Sequence, residues 1–522
     1  SEYQETWQIT KPARRSAKGL VSSQHRLASL AGAKVLAEGG NAVDAAVTTA
    51  LTIGAVEPWM SGLGGGGIML VYVAAEDRTY AVDYTMVAPQ ALNPADYPLV
   101  EGADNDLFGW PSVEGDRNVH GPLSFAVPGA VAGLSLALER FGTVSFKDAI
   151  APGVAHAEAG MGVDWYASLK IASGGPTLAR YPESAKTYLP NGFVPCGEWG
   201  GELPRIQLGN LAETYQLLHE RGPQDFYTGE VARRLVADMQ AVGGKISADD
   251  LSRYGASIND VAPSAHHTHT IYAAPGLTAG PTLLDTLARL RDRWPGADAP
   301  DAATYKAYAN SLHEAYAHRL ATMGEADDSK APGCTTHMSA VDAEGNVVAL
   351  TQTLLSVFGS KVMLPATGIL MNNGVMWFDP RPGRPNSMAP GRRPLANMCP
   401  TIVERADGAR FALGASGGRR IMPTVFQLTS FLTDFGMTLE DAMHQGRVDV
   451  STAPYVGVDR RLGEEVLAAV AEDHTNARAH THGVYPALYA CPNTAAHLPD
   501  GTLEGSAFIM SPWSYSATAE EI

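Results

Sequence analysis

Thr335-Thr336-His337-Met338-Ser339-Ala340-Val341-Asp342-Ala343-Glu344-Gly345-Asn346-Val347-Val348-Ala349-Leu350-Thr351-Gln352-Thr353 is the stretch on which the reading of this chain turns. Its two halves read as strands, with a glycine-bearing turn between them. If Asp342 and Asn346 close a three-residue loop with Gly345 in the left-handed conformation, the register that follows sets Thr335 opposite Thr353. Cross-strand partners lie about 4.5–5.5 Å apart at Cβ, so two hydroxyls meet at the open end of the hairpin. A threonine with a free α-amine carries a nucleophile and its base in one residue. Taken alone the hairpin argues weakly, because threonines favour strands and cross-strand threonine pairs are ordinary.

Outward from the hairpin, the chain has 522 residues, 45% hydrophobic and 18% charged. That suits either three domains or one large α/β body with a sizeable core. A net charge of −17 argues against a nucleic-acid surface. Cys196, Cys334, Cys399 and Cys491 show no metal or redox spacing and read as reduced thiols. The polar start Ser1-Glu2-Tyr3-Gln4 has no signal-peptide core. The longest apolar region, Ala42 to Val56, is interrupted by Asp44 and too short to span a bilayer. These features predict a soluble, cytoplasmic protein with no membrane or nucleic-acid partner and no cofactor. Periplasmic or secreted placement stays open if a signal has been removed.

Along the chain, Ser22 and Ser23 lead into helical spacing at Leu27, Leu30, Ala31, Val35 and Leu36, ended by Gly39-Gly40. Asn41 can cap a buried helix from Ala42 to Ile53. Gly64-Gly65-Gly66-Gly67 lacks the pattern of a phosphate loop and reads as a tight backbone crossing before a strand, Ile68 to Val73. The irregular segment from Pro89 to Pro128 carries Arg117, a candidate carboxylate binder or structural ion pair. Helices are predicted at 130–141, 146–159, 211–221, 230–242, 247–253, 282–293 and 305–323. His266-His267-Thr268-His269 reads as a strand edge rather than a metal site, since no matched ligand cluster follows. Pro332-Gly333-Cys334 breaks the chain just before the hairpin, as an exposed processing junction would. Strands at 401–404 and 410–413 precede Gly414-Ala415-Ser416-Gly417-Gly418, ahead of a helix from Pro423 to Asp434. Glycines there present N–H groups suited to an oxyanion.

Six stretches together resemble the γ-glutamyltransferase family of N-terminal-nucleophile hydrolases. They are Gly39-Gly40-Asn41-Ala42-Val43-Asp44-Ala45-Ala46, Ser61-Gly62-Leu63-Gly64-Gly65-Gly66, Val127-Pro128-Gly129-Ala130-Val131-Ala132-Gly133, Thr335-Thr336-His337-Met338-Ser339, Arg393-Pro394-Leu395-Ala396-Asn397-Met398 and Ser416-Gly417-Gly418. They run in family order over nearly the whole chain. The resemblance implies a four-layer αββα sandwich of two autoprocessed subunits, residues 1–334 and 335–522. It implies that these stay together as a heterodimer, with a dimer of heterodimers as a further arrangement. It makes Thr335 the nucleophile and Thr353 its supporting hydroxyl, and gives the oxyanion hole to Gly417 and Gly418.

The departures bear on the substrate. Where glutathione enzymes of the family place polar groups around a glutamyl head, this chain has Leu355, Gly374, Met376, Trp377 and Ala396-Asn397. The family's carboxylate-binding arginine falls near Asn105. An unpaired charge in an apolar pocket costs several kcal/mol. With Arg117 and Asn397 left as candidate carboxylate binders, the pattern fits the cephalosporin or glutaryl acylases and the oxamate amidohydrolase branch. A γ-glutamyl transferase or hydrolase with a rebuilt pocket is the alternative. A non-catalytic binding protein is the third reading, disfavoured by the intact Thr335, Thr353, Gly417 and Gly418.

Overall fold

Asp342 organises the hairpin turn. Its carboxylate accepts the backbone N–H of Glu344 and of Asn346, each at 3.0 Å, and its own N–H reaches the Asn346 carbonyl. Gly345 takes φ +91°, as the loop requires. The same carboxylate accepts the N–H of Ala42 at 2.8 Å, the first residue of the helix Ala42–Val56. One side chain thus ties the turn to a helix N-terminus, where negative charge is favoured. The strands Cys334–Asp342 and Val347–Leu355 pair antiparallel, with Thr336 opposite Gln352 and Met338 opposite Leu350. This is the expected register. It shifts at the open end, where Thr353 and Leu354 together face Thr335. Such a bulge re-aims side chains.

The computed structural model describes residues 5–104, 110–323, 334–451, 455–484 and 489–522. Asn105 and Pro332-Gly333 lie outside them. The hairpin sits at the centre of a seven-stranded antiparallel sheet. In order its strands are Tyr515–Thr518, Gly19–Ser23, Cys334–Asp342, Val347–Leu355, Gly66–Val73, Arg78–Tyr84 and Ser257–Asp260. A second seven-stranded sheet runs Arg14–Ser16, Leu503–Ser506, Thr494–His497, Arg410–Leu413, Thr401–Glu404, His269–Ala273 and Ser264–His266. In both sheets, strands from before Thr335 flank strands from after it on either side.

Alternation along the strands makes four layers. In the first sheet, Ile68, Leu70, Val347 and Ala349 face the second sheet and meet Ile402, Ala412 and Ala495. Their neighbours Met69, Val71, Val348 and Leu350 face the helix layer and meet Val47, Leu51 and Val131. Val403, Phe411 and Leu413 on the second sheet's far side pack on Leu283, Leu312 and Phe426. Strands buried on both faces read as apolar runs over part of their length, as residues 68–73 and 347–350 do. The fold is the expected αββα sandwich. Among the described residues no helix is long and apolar enough to cross a membrane. None of the four cysteines is in a disulfide.

Two local readings change. Ser22 and Ser23 do not open a helix; they lie on the buried strand Gly19–Ser23, beside the strand that carries Thr335. The helix starts at Arg26, and His25 accepts the Leu27 N–H as its cap. Capping-type residues and a short buried strand look alike when the apolar flank is only Leu20-Val21. The helix expected from Pro423 begins at Ile421 and ends at Thr433. His266 and His269 do stand on an edge hairpin, with His267-Thr268 as its turn. His266 Nε2 pairs with the buried Asp434 carboxylate at 2.8 Å.

The glycine run is a crossing, and it is tight. A Cβ on Gly65 would come within 2.3 Å of the Thr353 carbonyl oxygen, and one on Gly67 within 2.5 Å of the Thr351 carbonyl oxygen. Gly66 pairs with Thr353 itself. Gly65→Ala should therefore destabilise the protein by about 1–3 kcal/mol, the usual cost of overpacking, and slow any self-cleavage at Thr335. Urea unfolding and denaturing gels check this. Wild-type stability in the variant would show that the crossing has slack.

Candidate active site

Thr335 and Thr353 meet at the end of the hairpin. The Thr335 hydroxyl donates to the Thr353 hydroxyl at 3.3 Å. The Thr353 hydroxyl donates to the carbonyl oxygen of Cys334 at 2.6 Å and accepts the Leu355 N–H at 2.7 Å. A hydroxyl has one proton to give and two lone pairs to fill, so all its capacity is used. Leu355 holds this arrangement at φ +85°, a conformation that L-residues rarely adopt. Such strain costs on the order of 1–3 kcal/mol and collects at functional sites. The Cys334–Thr335 peptide therefore lies between the Thr335 hydroxyl and a second hydroxyl that donates to its carbonyl.

Odd-numbered residues of both hairpin strands face the second sheet, so Thr335 opens into the space between the sheets. His337 keys the two sheets together there. Its Nδ1 lies 2.8 Å from Thr351 Oγ1 and its Nε2 3.0 Å from Ser339 Oγ. A Cβ on Gly414 would come 2.1 Å from its ring. Burial pushes the His337 pKa down to about 3, so the ring is neutral and serves as a spacer. Immediately beyond Gly414, the short strand Ala415–Ser416 lies against the Thr335 strand. Gly417 and Gly418 follow at φ +137° and +60°, turning the chain into the helix Ile421–Thr433. A Cβ on Gly417 would meet Ala490 Cα at 2.9 Å. Glycine is required for both reasons.

The residues that depart from the glutathione enzymes' pattern fall together. Leu355, Met376, Trp377, Ala396 and Met398 belong to one buried apolar cluster that also holds Trp110. Asn397 is half-buried between two of its members. Gly374 is buried and serves packing, since its Cβ would come 2.8 Å from Ala126 Cβ. Asn372 and Asn373 are clamps: Asn372 bonds Gly64, Ala126 and Gly374, while Asn373 bonds Val119 and Ser356. Arg117 is half-exposed; its guanidinium donates to the Asp96 carbonyl at 3.1 Å and lies 3.9 Å from Glu114.

The family model described as gamma-glutamyltranspeptidase matches residues 28–334 and 323–496. The chain belongs to the gamma-glutamyltranspeptidase family. The acylase ACY 1 proenzyme of Pseudomonas sp. (strain SE83) is 32% identical, covering 95% of this chain and 93% of that protein. The glutathione hydrolase proenzyme of Bacillus subtilis (strain 168) is 28% identical, covering 90% and 86%. A cephalosporin acylase from Bacillus halodurans has the same fold, with a TM-score of 0.85 at 21% identity over 99% of this chain and 98% of its own. The chain is thus an amide-cleaving enzyme of the N-terminal-nucleophile type.

In this gamma-glutamyltranspeptidase-family chain three titratable groups with no signature in the sequence stand around Cys334: Glu57, Lys170 and Lys361. Glu57 ends the buried helix Ala42–Val56 and precedes the turn whose Trp59 and Met60 carbonyls accept the Phe358 and Leu354 N–H groups. Lys361 donates to the Gly359 carbonyl at 3.1 Å from a left-handed backbone. Burial lowers its pKa to about 8, and a nearby Cys334 acts against that. In the sequence only the run Phe358-Gly359-Ser360-Lys361 after the hairpin marks this place, and such a run does not say where the lysine amine goes. Glu57 is 2% exposed, and its Oε1 has no partner among the described residues. Burial raises its pKa to about 8, with Lys170 acting in the opposite direction.

A carboxyl whose folded-state pKa is raised favours the fold while protonated, and that contribution is lost as pH climbs from the ordinary Glu value towards about 8. Glu57→Gln should therefore gain thermal stability over the wild type at pH 8 but little at pH 5. Melting curves of both proteins at the two pH values test this. A difference that does not depend on pH would place the proton elsewhere.

Proposed function

We propose that this chain cleaves itself between Cys334 and Thr335 and then uses Thr335 to hydrolyse amides of small carboxylic acids that lack an α-amine. The carrying observation is the Thr353 hydroxyl, bonded at once to the scissile carbonyl and to the Thr335 hydroxyl. In the uncut chain, Thr335 Oγ attacks the Cys334 carbonyl carbon. Its proton passes to Thr353, which gives its own proton to the carbonyl oxygen as charge develops. The C–N bond then breaks, the Thr335 nitrogen takes a proton, and water hydrolyses the ester. Residues 1–334 and 335–522 are the two products, held as a heterodimer by the interleaved sheets.

In the mature enzyme the freed α-amine of Thr335 is the base. It takes the hydroxyl proton as Oγ attacks the substrate amide and passes it to the leaving ammonia or amine. The N–H groups of Gly417 and Gly418 hold the oxyanion. Water then attacks the ester, and the acid leaves with Thr335 restored. The apolar group of Leu355, Met376, Trp377 and Ala396 supports the substrate class, since a zwitterionic glutamyl head would leave its charges unpaired there. The acylase relative supports the same reading. The Bacillus subtilis relative keeps a γ-glutamyl hydrolase as the second reading.

Purified wild type should run as two fragments with Thr335 at the N-terminus of the smaller, and Thr335→Ala as one chain. An intact yet fully active wild type would rule out the mechanism. Thr353→Val should slow both self-cleavage and turnover by about 10²-fold or more, within the range for positioned acid–base groups, while Thr353→Ser retains much of both. On substrates, kcat/KM for a glutaryl- or oxalyl-type amide should exceed that for the γ-glutamyl amide by at least about tenfold, a difference of about 1.4 kcal/mol. Equal or better turnover of the glutamyl compound promotes the second reading.

A further inference from the structure

The hairpin at the edge of the second sheet holds two histidines that the proposed chemistry does not use. His266 ends the strand Ser264–His266, and His267 is the first residue of the turn that follows. Successive side chains of a strand point to opposite faces, so two rings in that register would diverge. His267 instead takes φ +51°. The chain turns back there, and both rings reach one carboxylate. His266 Nε2 lies 2.8 Å and His267 Nε2 3.6 Å from Asp434 Oδ1. One ligand atom from each of the three residues lies within 4.8 Å of the others. Asp434 stands 168 residues from His266 along the chain, so nothing beside the histidines announces it.

Asp434 caps the C-terminus of the helix Ile421–Thr433, and its side chain is 1% exposed. That end of a helix carries partial negative charge, so a buried carboxylate there needs positive charge beside it. Among the described residues its ion pairs are with the two histidines alone. Two guanidinium groups nearby are committed elsewhere: Arg291 donates to the Ala265 carbonyl at 3.0 Å and Arg405 to the Asp407 carboxylate at 2.8 Å. Burial, with His266 beside it, holds the His267 pKa below its ordinary value, so that ring is neutral at neutral pH. The carboxylate is fixed from behind. The Ser430 hydroxyl donates to Asp434 Oδ2 at 2.6 Å and accepts the Tyr308 hydroxyl at 2.7 Å, which leaves Oδ1 turned to the imidazoles. His269, across the hairpin, is engaged otherwise: its Nδ1 accepts the Ala406 N–H at 3.0 Å.

We propose that His266 Nε2, His267 Nε2 and Asp434 Oδ1 bind a divalent cation of the zinc class, which fastens the edge hairpin to the helix end. Two imidazole nitrogens and one carboxylate oxygen form a set that zinc takes, with water completing the tetrahedron. The Ser430 hydroxyl orients the carboxylate, as the groups behind metal ligands do. His266 is 1% and His267 41% exposed, so the ion enters past His267 and keeps its water on that side. It takes the place of the His266 Nε2 proton, which is released to solvent. Its role is structural. The helix has 13 residues and is about 20 Å long, so the ion holds the far end of the element that starts from the Gly417-Gly418 turn.

The test uses the full protein, untagged and freed of metal by dialysis against a chelator. Titration with zinc chloride in a calorimeter should show one such site per chain, with affinity at least about tenfold weaker in His267→Ala and in Asp434→Asn. Saturating zinc should raise the melting temperature of the wild type by about 2 °C or more and leave both variants unmoved. His267→Ala leaves the buried core untouched and decides alone if Asp434→Asn does not fold. Co2+ in place of zinc should give the visible bands of tetrahedral coordination without thiolate absorption in the near ultraviolet, since no cysteine belongs to the set. A wild type that takes up no zinc overturns the assignment. So does a His267→Ala variant that binds as tightly as the wild type, or a thiolate band with Co2+.

Discussion

The hydroxyl of Thr353 sits where three chain segments must agree. It gives its proton to the Cys334 carbonyl and accepts from Thr335 and from the Leu355 N–H. The bond from Leu355 is the costly one, because it requires a left-handed leucine. The bulge that sets two residues opposite Thr335 makes that geometry available, and the glycine crossing lets the neighbouring strand close over it without a side chain in the way. The surroundings of the hairpin are therefore arranged around one oxygen atom's valence.

Polar side chains collect towards the mouth between the sheets by simple parity. Odd positions of the hairpin point to the second sheet and even positions to the helices. Deep in the sandwich the odd positions are Val341, Val347 and Ala349, which seal it. Towards the end they become His337, Thr351, Thr353 and Thr335, and the core turns polar. The neutral imidazole of His337 spans the sheets at this transition. It holds Gly414, and with it the Gly417-Gly418 turn, at a fixed height above the threonines. A change in sheet spacing would move the threonines away from the Gly417-Gly418 turn.

Much of this was legible before any coordinates. The hairpin register followed from turn chemistry, because Asp342, Gly345 and Asn346 each have a local conformational reason to be there. The crossing at Gly64–Gly67 followed from glycines that fit no ligand loop. What escaped was non-local. The strand Gly19–Ser23 joins the sheet through a partner more than three hundred residues away, so nothing near Ser22 announces it. The bulge at Thr335 depends on Leu355 adopting a conformation that leucine disfavours, which no propensity predicts. Glu57 and Lys361 acquire their meaning only from what burial brings beside them, and Arg117 shows the converse. Its residue type suited carboxylate binding, yet the fold gives its guanidinium a carbonyl and a glutamate at the surface.

Strand order carries a consequence for the protein's life after cleavage. The pieces on either side of Thr335 do not meet across a surface, as separate subunits do. Each supplies strands that lie between or beside strands of the other in both sheets. Parting them means breaking backbone ladders and opening all the apolar layers at once, which is unfolding itself. Separation of such a pair is coupled to unfolding, so its stability depends on the concentration of the pieces. A break before Thr335 would remove covalent continuity there while leaving two pieces that are folded only as one body.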